Sequence, residues 1–285
     1  MSVPEGKVPI LFCARSAFTA WRQSLRGLLP WASLMGAVAA GLGLVIGGGP
    51  LSQDPTGVIG LSMALLVPTA LFYAVAIRGA EGKGYALNGA ALRDGLAVLS
   101  GVGVVGFFLA LTLIAVNVAA NAILFAPFSE ELAAAGENQA AVEAVAQRIL
   151  QENPQGVILT FLLFAGAVLV LTSRLYLAAP ASVEASRGRS FETWSWTKGN
   201  LFRIVAARLV LLAPAYAAAV VIGSVIAAPV MALAGGGQAN AAAFAIGLGV
   251  FTFFMALIYQ ALEAHLSVTL YRGLRPSEPG RPPQP

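Results

Sequence analysis

Cysteine, histidine and aspartate are nearly missing from this 285-residue chain, which has one Cys (Cys13), one His (His265) and two Asp (Asp54, Asp94). A single cysteine excludes a disulfide framework, and one cysteine with one histidine excludes a Cys/His zinc site. Two aspartates cannot build an aspartate-rich two-metal centre. No cofactor is expected. Charge is scarce as well: 11% of the residues are charged, against about 25% in an average globular domain. The 17 Lys and Arg outnumber the 13 Asp and Glu for a net charge of +4. They are scattered between apolar runs and form no basic stripe, so a nucleic-acid partner is not expected.

What the chain has in excess is hydrophobic residues, 58% of the total, gathered in long runs. A bilayer core of roughly 30 Å takes about 20 apolar residues of helix. Six stretches meet that length, at about 28–48, 58–77, 96–118, 157–176, 209–231 and 241–262. The first is too long for a signal-peptide core, and its Ala37-Val38-Ala39 lies mid-run, so an uncleaved N-terminus is expected. Sixteen of the seventeen basic residues fall on one side of this six-span plan, with only Arg148 on the other. The positive-inside rule then places both termini in the cytoplasm. The expected fold is all-α: a polytopic bundle of six transmembrane helices, with interfacial amphipathic helices leading into the spans.

Residues 1–27 form the first such lead-in. At 100° per residue Arg15, Arg22 and Arg26 fall on one line, beside an apolar arc of Ile10, Ala14, Ala17, Phe18, Trp21 and Leu25. That pattern fits a helix lying on an anionic leaflet; the alternative is a helix packed on the protein's own loops. A shorter version follows the fourth span: Ser190 as cap, Glu192 in the first turn, Phe191, Trp194 and Trp196 as apolar surface, and Lys198-Gly199 as the stop. Arg15, Trp21, Arg22, Arg26, Trp194 and Lys198 are therefore the candidate lipid-headgroup contacts. Arg26-Gly27-Leu28, Arg93-Asp94-Gly95-Leu96 and Lys198-Gly199-Asn200-Leu201 repeat one arrangement, as three hairpins each begun by a cation and a helix break. On the opposite side, residues 129–153 read as an acidic amphipathic cap, with Val142, Val145, Ile149 and Leu150 at helical spacing. The tail at 275–285, with five prolines in eleven residues, reads as disordered.

Gly101-Val-Gly103-Val-Val-Gly106 spells a dinucleotide fingerprint, but inside an apolar span it has no strand before it and no soluble phosphate site. Close helix packing accounts for it better, as for Gly43-x-x-x-Gly47 and Gly223-x-x-x-Ala227. Pro68, Pro214 and Pro229 are expected to kink the second and fifth spans. Arg78, Arg174, Arg208, Glu263 and His265 sit at span ends, where arginines snorkel by default. The sharper expectation is a buried ionic cluster of Arg174, Arg208 and Glu263, since charges at membrane depth are usually paired. No catalytic constellation is assembled.

Arg174-Leu175-Tyr176, Pro180, Glu184, Phe191, Trp194 and Lys198-Gly199-Asn200, with Tyr271-Arg272 after the last span, resemble the glycerophosphoryl diester phosphodiesterase membrane-domain family and related six-helix bacterial inner-membrane proteins. The resemblance covers roughly residues 10–274. It implies a bacterial inner-membrane location and a membrane domain alone: the barrel that supplies catalysis in members of that name has no counterpart here, and no catalytic residue is carried over. Three function classes remain. The first is a non-enzymatic protein that binds membrane lipids, anionic on the cytoplasmic side, or supports a protein partner or a second copy of itself. The second is a transporter or flippase for an amphipathic substrate, and the third a membrane-embedded enzyme of lipid metabolism.

Overall fold

The computed structural model describes residues 8–48, 63–136, 138–233 and 241–275, and every regular element among them is helical. In chain order these are α1 (Ile10–Gly48), α2 (Leu66–Ala80), α3 (Gly89–Phe125), α4 (Ser129–Ala135), α5 (Gln139–Glu152), α6 (Pro154–Arg174), α7 (Ala178–Ala185), α8 (Glu192–Trp196), α9 (Leu201–Leu233), α10 (Ala241–Phe254) and α11 (Ala261–Leu274). A π-helical segment, Met255–Gln260, joins α10 to α11 without a break.

Five helical stretches are long and apolar enough to cross a membrane: Ile10–Val45, Gly89–Ala120, Pro154–Ala185, Leu201–Val230 and Ala242–Leu274. This is the architecture of a multi-pass membrane protein. The second expected span is α2, whose 15 residues cover about 22 Å; residues 58–62 of that expectation lie outside the described residues. Pro68 falls in the first turn of α2 rather than mid-helix, where a missing N–H costs little. Pro214 and Pro229 lie within α9 as expected, and Pro30 lies within α1.

The expected boundary between lead-in and first span is absent. α1 runs unbroken for 39 residues, about 58 Å, through Arg26-Gly27-Leu28. Gly27 serves contact instead of a break: a Cβ there would lie 2.4 Å from the Tyr85 ring. Gly95 is likewise internal to α3, its missing side chain making room for Leu71. Of these three glycines, Gly199 alone has a positive φ, +80°, and breaks the chain before a helix. The three similar sequence stretches thus have different structural roles.

The described residues divide into two compact units, one of residues 1–103 and 174–285 and one of residues 104–173. In the larger, α1 packs along α10 and α11, flanked by α2 and α9, and the short α7 sits against α2 and α11. Small residues set the α1–α10 approach. A Cβ on Gly249 would lie 2.7 Å from the Gly36 carbonyl oxygen, and one on Gly43 would lie 2.8 Å from the Ala245 Cα. The core is richest where α1 and α9 begin and α11 ends, here termed the basic end. There Cys13, Ala14 and Ala17 meet Leu177, Ile204, Leu211, Leu266 and Leu270. Every residue of α7 from Ala178 to Val183 is buried.

In the smaller unit, Asn153 accepts a hydrogen bond from the Gly156 N–H at 3.0 Å, and Pro154 takes the first helical position of α6. The segment expected to form an amphipathic helix folds as α4 and α5: Val145 and Ile149 pack with Phe128 against Leu124, Phe125 and Leu132, Val142 of the expected stripe is exposed, and Arg148 pairs with Glu131 at 2.7 Å. Asn138 caps α5. Phe107, Ile114 and Val118 of α3 and Ile158, Phe161 and Leu162 of α6 are exposed, as helices solvated by lipid require.

Candidate functional site

The periodicity of α11 and the end of the π segment places Tyr259, Gln260, Glu263 and Ser267 on one face. Other helices bring polar groups to it. Tyr176, directly after α6, donates its hydroxyl to the Glu263 backbone carbonyl at 3.0 Å. The Arg208 guanidinium of α9 lies 4.6 Å from the centre of the Tyr176 ring, a cation–π contact. Tyr73 of α2 lies near Ser267, whose hydroxyl donates to the Ala264 carbonyl at 2.8 Å. Tyr216 of α9 meets Tyr259 edge-on, with ring centres 5.6 Å apart. Glu263 lies within electrostatic reach of Arg208 and of all three inner tyrosines, Tyr73, Tyr176 and Tyr259. Tyr176 is buried, the other inner groups keep part of their surface, and Tyr216 is half exposed.

Gln260 Oε1, three residues before Glu263, is buried and has no hydrogen-bond partner among the described residues. An unsatisfied acceptor inside a helix bundle is costly. His265, 1% exposed, donates from Nδ1 to the Ala261 carbonyl at 2.7 Å, as a satisfied core histidine does on that side. Its Nε2 has no partner among the described residues.

Of the three residues of the expected ionic cluster, Glu263 lies within electrostatic reach of Arg208, and the Arg174 guanidinium stacks 5.4 Å over the Trp194 ring. Arg78 does not snorkel. It forms a 2.6 Å ion pair with Asp94, whose side chain is 3% exposed, and Ser186 donates to the second Asp94 oxygen at 3.1 Å. A third polar group ties the end of α11 to α7: Glu184 accepts from the Tyr271 hydroxyl and, at 2.7 Å, from Arg275, while Trp196 lies beside Tyr271.

The candidate lipid contacts separate into two sets. Arg15, Arg22, Arg26 and Lys198 are exposed, and so is Trp194. Trp21 points inward and donates its indole N–H to the Leu257 carbonyl at 2.8 Å, occupying a backbone acceptor that the π segment sets free. Most of the apolar arc of α1 is likewise turned to the protein's own core, packed on helices and not on loops. Its outward stripe is Leu11, Arg15, Phe18, Arg22, Arg26 and Leu29, mixing apolar and basic groups. Phe191, Trp194 and the 85% exposed Phe202 form a second outward apolar group around Lys198. Ser190 does not cap α8; its hydroxyl donates to the Gly101 carbonyl at 2.8 Å. Gly101 is the point of close packing in the glycine string, against Ser182, while Gly103 and Gly106 have open space.

No family model, curated protein or solved structure matches the chain. Phe202, Gln260, Tyr73, Tyr216 and Tyr259 were missed from sequence. Phe202 next to Lys198 carried a signal, an aromatic beside a cation at the start of a span. The tyrosines carried none, because their convergence is tertiary.

Proposed function

We propose that the protein is a non-catalytic, lipid-interacting protein of the bacterial cytoplasmic membrane, with both termini and the basic end on the cytoplasmic side, where it holds anionic lipids. The carrying observation is the outward surface of the basic end: cations Arg15, Arg22, Arg26 and Lys198 interleaved with exposed Leu11, Phe18, Trp194 and Phe202. Apolar groups at headgroup depth and cations facing an anionic leaflet reinforce one another, each cation adding about 1 kcal/mol near such a surface. The resemblance of the cytoplasmic segments to a phosphodiesterase membrane domain supports the same reading.

Native mass spectrometry of the full chain in mild detergent, with identification of the lipids that survive mild activation, tests it. Retention of an anionic class at fixed stoichiometry, weakened by Lys198→Ala and by Arg22→Ala, is expected. A lipid-free protein would sink the proposal and turn attention to a protein partner. The polar cluster around Glu263 favours a second reading, a transporter or flippase, which predicts movement of a labelled lipid across proteoliposomes.

A further inference from the structure

We propose that the π segment, Met255–Gln260, is a hinge in the last long helical stretch, latched by Trp21, and that lipid seated on the outward stripe of α1 tightens the latch. Ala245, Gly249, Phe253, Ala256, Ala261 and Ala264 either touch α1 directly or share the core of its Leu28, Ala32 and Met35. The intervals along this face are four, four, three, five and three residues. An α-helical face recurs every three or four residues, so the step of five holds one residue more than the α repeat allows. The i→i+5 bonding of the π segment takes up that residue and keeps α10 and α11 in register on α1. Within the step lies Gln260, whose buried Oε1 has no partner among the described residues.

A hinge works between two fixed parts. α10 is held to α1 where the backbones of Gly36 and Gly249 meet and where Gly43 meets Ala245. The far end of α11 is held to α7, where Glu184 accepts from Tyr271 and Arg275. Between these two clamps the Leu257 carbonyl accepts the Trp21 indole N–H at 2.8 Å, a bond from α1 into the stretch where the regular i→i+4 ladder is interrupted. The latch also reaches the surface. The Trp21 ring lies against Phe18, with ring centres 5.4 Å apart, and Phe18 is 44% exposed on the stripe between Arg15 and Arg22. Lipid that covers Phe18 and pairs with Arg22 holds the two rings as they stand, and so favours the latched hinge over the open one.

The lipid coupling rests on the lipid-interacting reading and the hinge does not, so the two can fail separately. The test is hydrogen exchange by mass spectrometry on the full chain, in nanodiscs of dioleoyl phosphatidylcholine with or without phosphatidylglycerol, for wild type, Trp21→Phe and a deletion of Gln260. Phosphatidylglycerol is expected to slow exchange in the wild-type π segment about threefold. Trp21→Phe speeds that exchange about fivefold and removes the response to lipid. Deletion of Gln260 turns the step of five into four, so exchange falls at least about tenfold in both lipids and the protein melts within about 3 °C of wild type or above it. The control deletes the exposed Leu29 from the unbroken α1, which puts Ala17 and Gly36 out of register, and it should melt at least about 10 °C lower or fail to fold. A Gln260 deletion as costly as the Leu29 deletion, or with wild-type exchange, would overturn the hinge. A lipid response that survives in Trp21→Phe would overturn the coupling, as would no response in a wild type that retains phosphatidylglycerol in native mass spectrometry. No response together with no retained lipid would instead count against the proposed function.

Discussion

Cutting the Arg78–Asp94 pair gives the largest stability change that the structure predicts for a single polar substitution. The two side chains are 11% and 3% exposed, 2.6 Å apart, and join α2 to α3. Removing one partner leaves a desolvated charge, at a cost of about 3–5 kcal/mol. Asp94→Ala also frees the Ser186 hydroxyl, adding about 1 kcal/mol. Arg78→Met keeps most of the aliphatic stem and tests the charge alone. The double variant Arg78→Met/Asp94→Ala removes both charges, so it should lose about as much as one single variant and clearly less than their sum. The coupling energy would then be the size of one single loss, about 3–5 kcal/mol, at or above the upper end of what contacting pairs show. Chemical or thermal unfolding of all four proteins in one detergent, followed by far-ultraviolet circular dichroism, closes the cycle. Additive losses would refute the claim that the pair acts as a unit.

Two further substitutions test the packing. Gly249→Val places side-chain atoms against the Gly36 carbonyl and Ala40 and should destabilise the α1–α10 contact by about 1–3 kcal/mol, whereas Gly41→Ala, with open space around it, should stay within about 0.5 kcal/mol in the same unfolding assay. Trp21→Phe removes the donor to Leu257 and should cost about 1 kcal/mol, with faster amide exchange in the π segment by mass spectrometry.

The long helices were legible because hydrophobic length is an additive, local signal. Each long helix contains its expected apolar run, and the helix α5 follows from Val145 and Ile149 at helical spacing. Glycine was harder to interpret. Gly27, Gly95 and Gly199 follow cations in similar strings, yet the first two serve close contacts with Tyr85 and Leu71 and only the third has positive φ. The sequence states that a side chain is absent, not whether backbone freedom or space is the reason. The amphipathic arc of α1 had the same ambiguity, since a face suited to lipid is equally suited to the protein's own core. Arg78 illustrates the remaining gap. Its partner is sixteen residues away on another helix, in a geometry that only the folded chain supplies.

Depth-resolved fluorescence quenching tests the central claim, that the outward surface of the basic end sits in lipid. Trp21 and Trp31 donate their indole N–H groups to protein carbonyls, Trp196 is half-buried, and Trp194 is the tryptophan with 43% exposure. Emission from wild type and Trp194→Phe is compared in anionic vesicles carrying brominated acyl chains, with aqueous iodide as the opposing quencher. The account predicts that the difference signal, which belongs to Trp194, is quenched by lipids brominated near the headgroup and shielded from iodide. A Trp194 signal quenched by iodide and untouched by brominated lipid would contradict it.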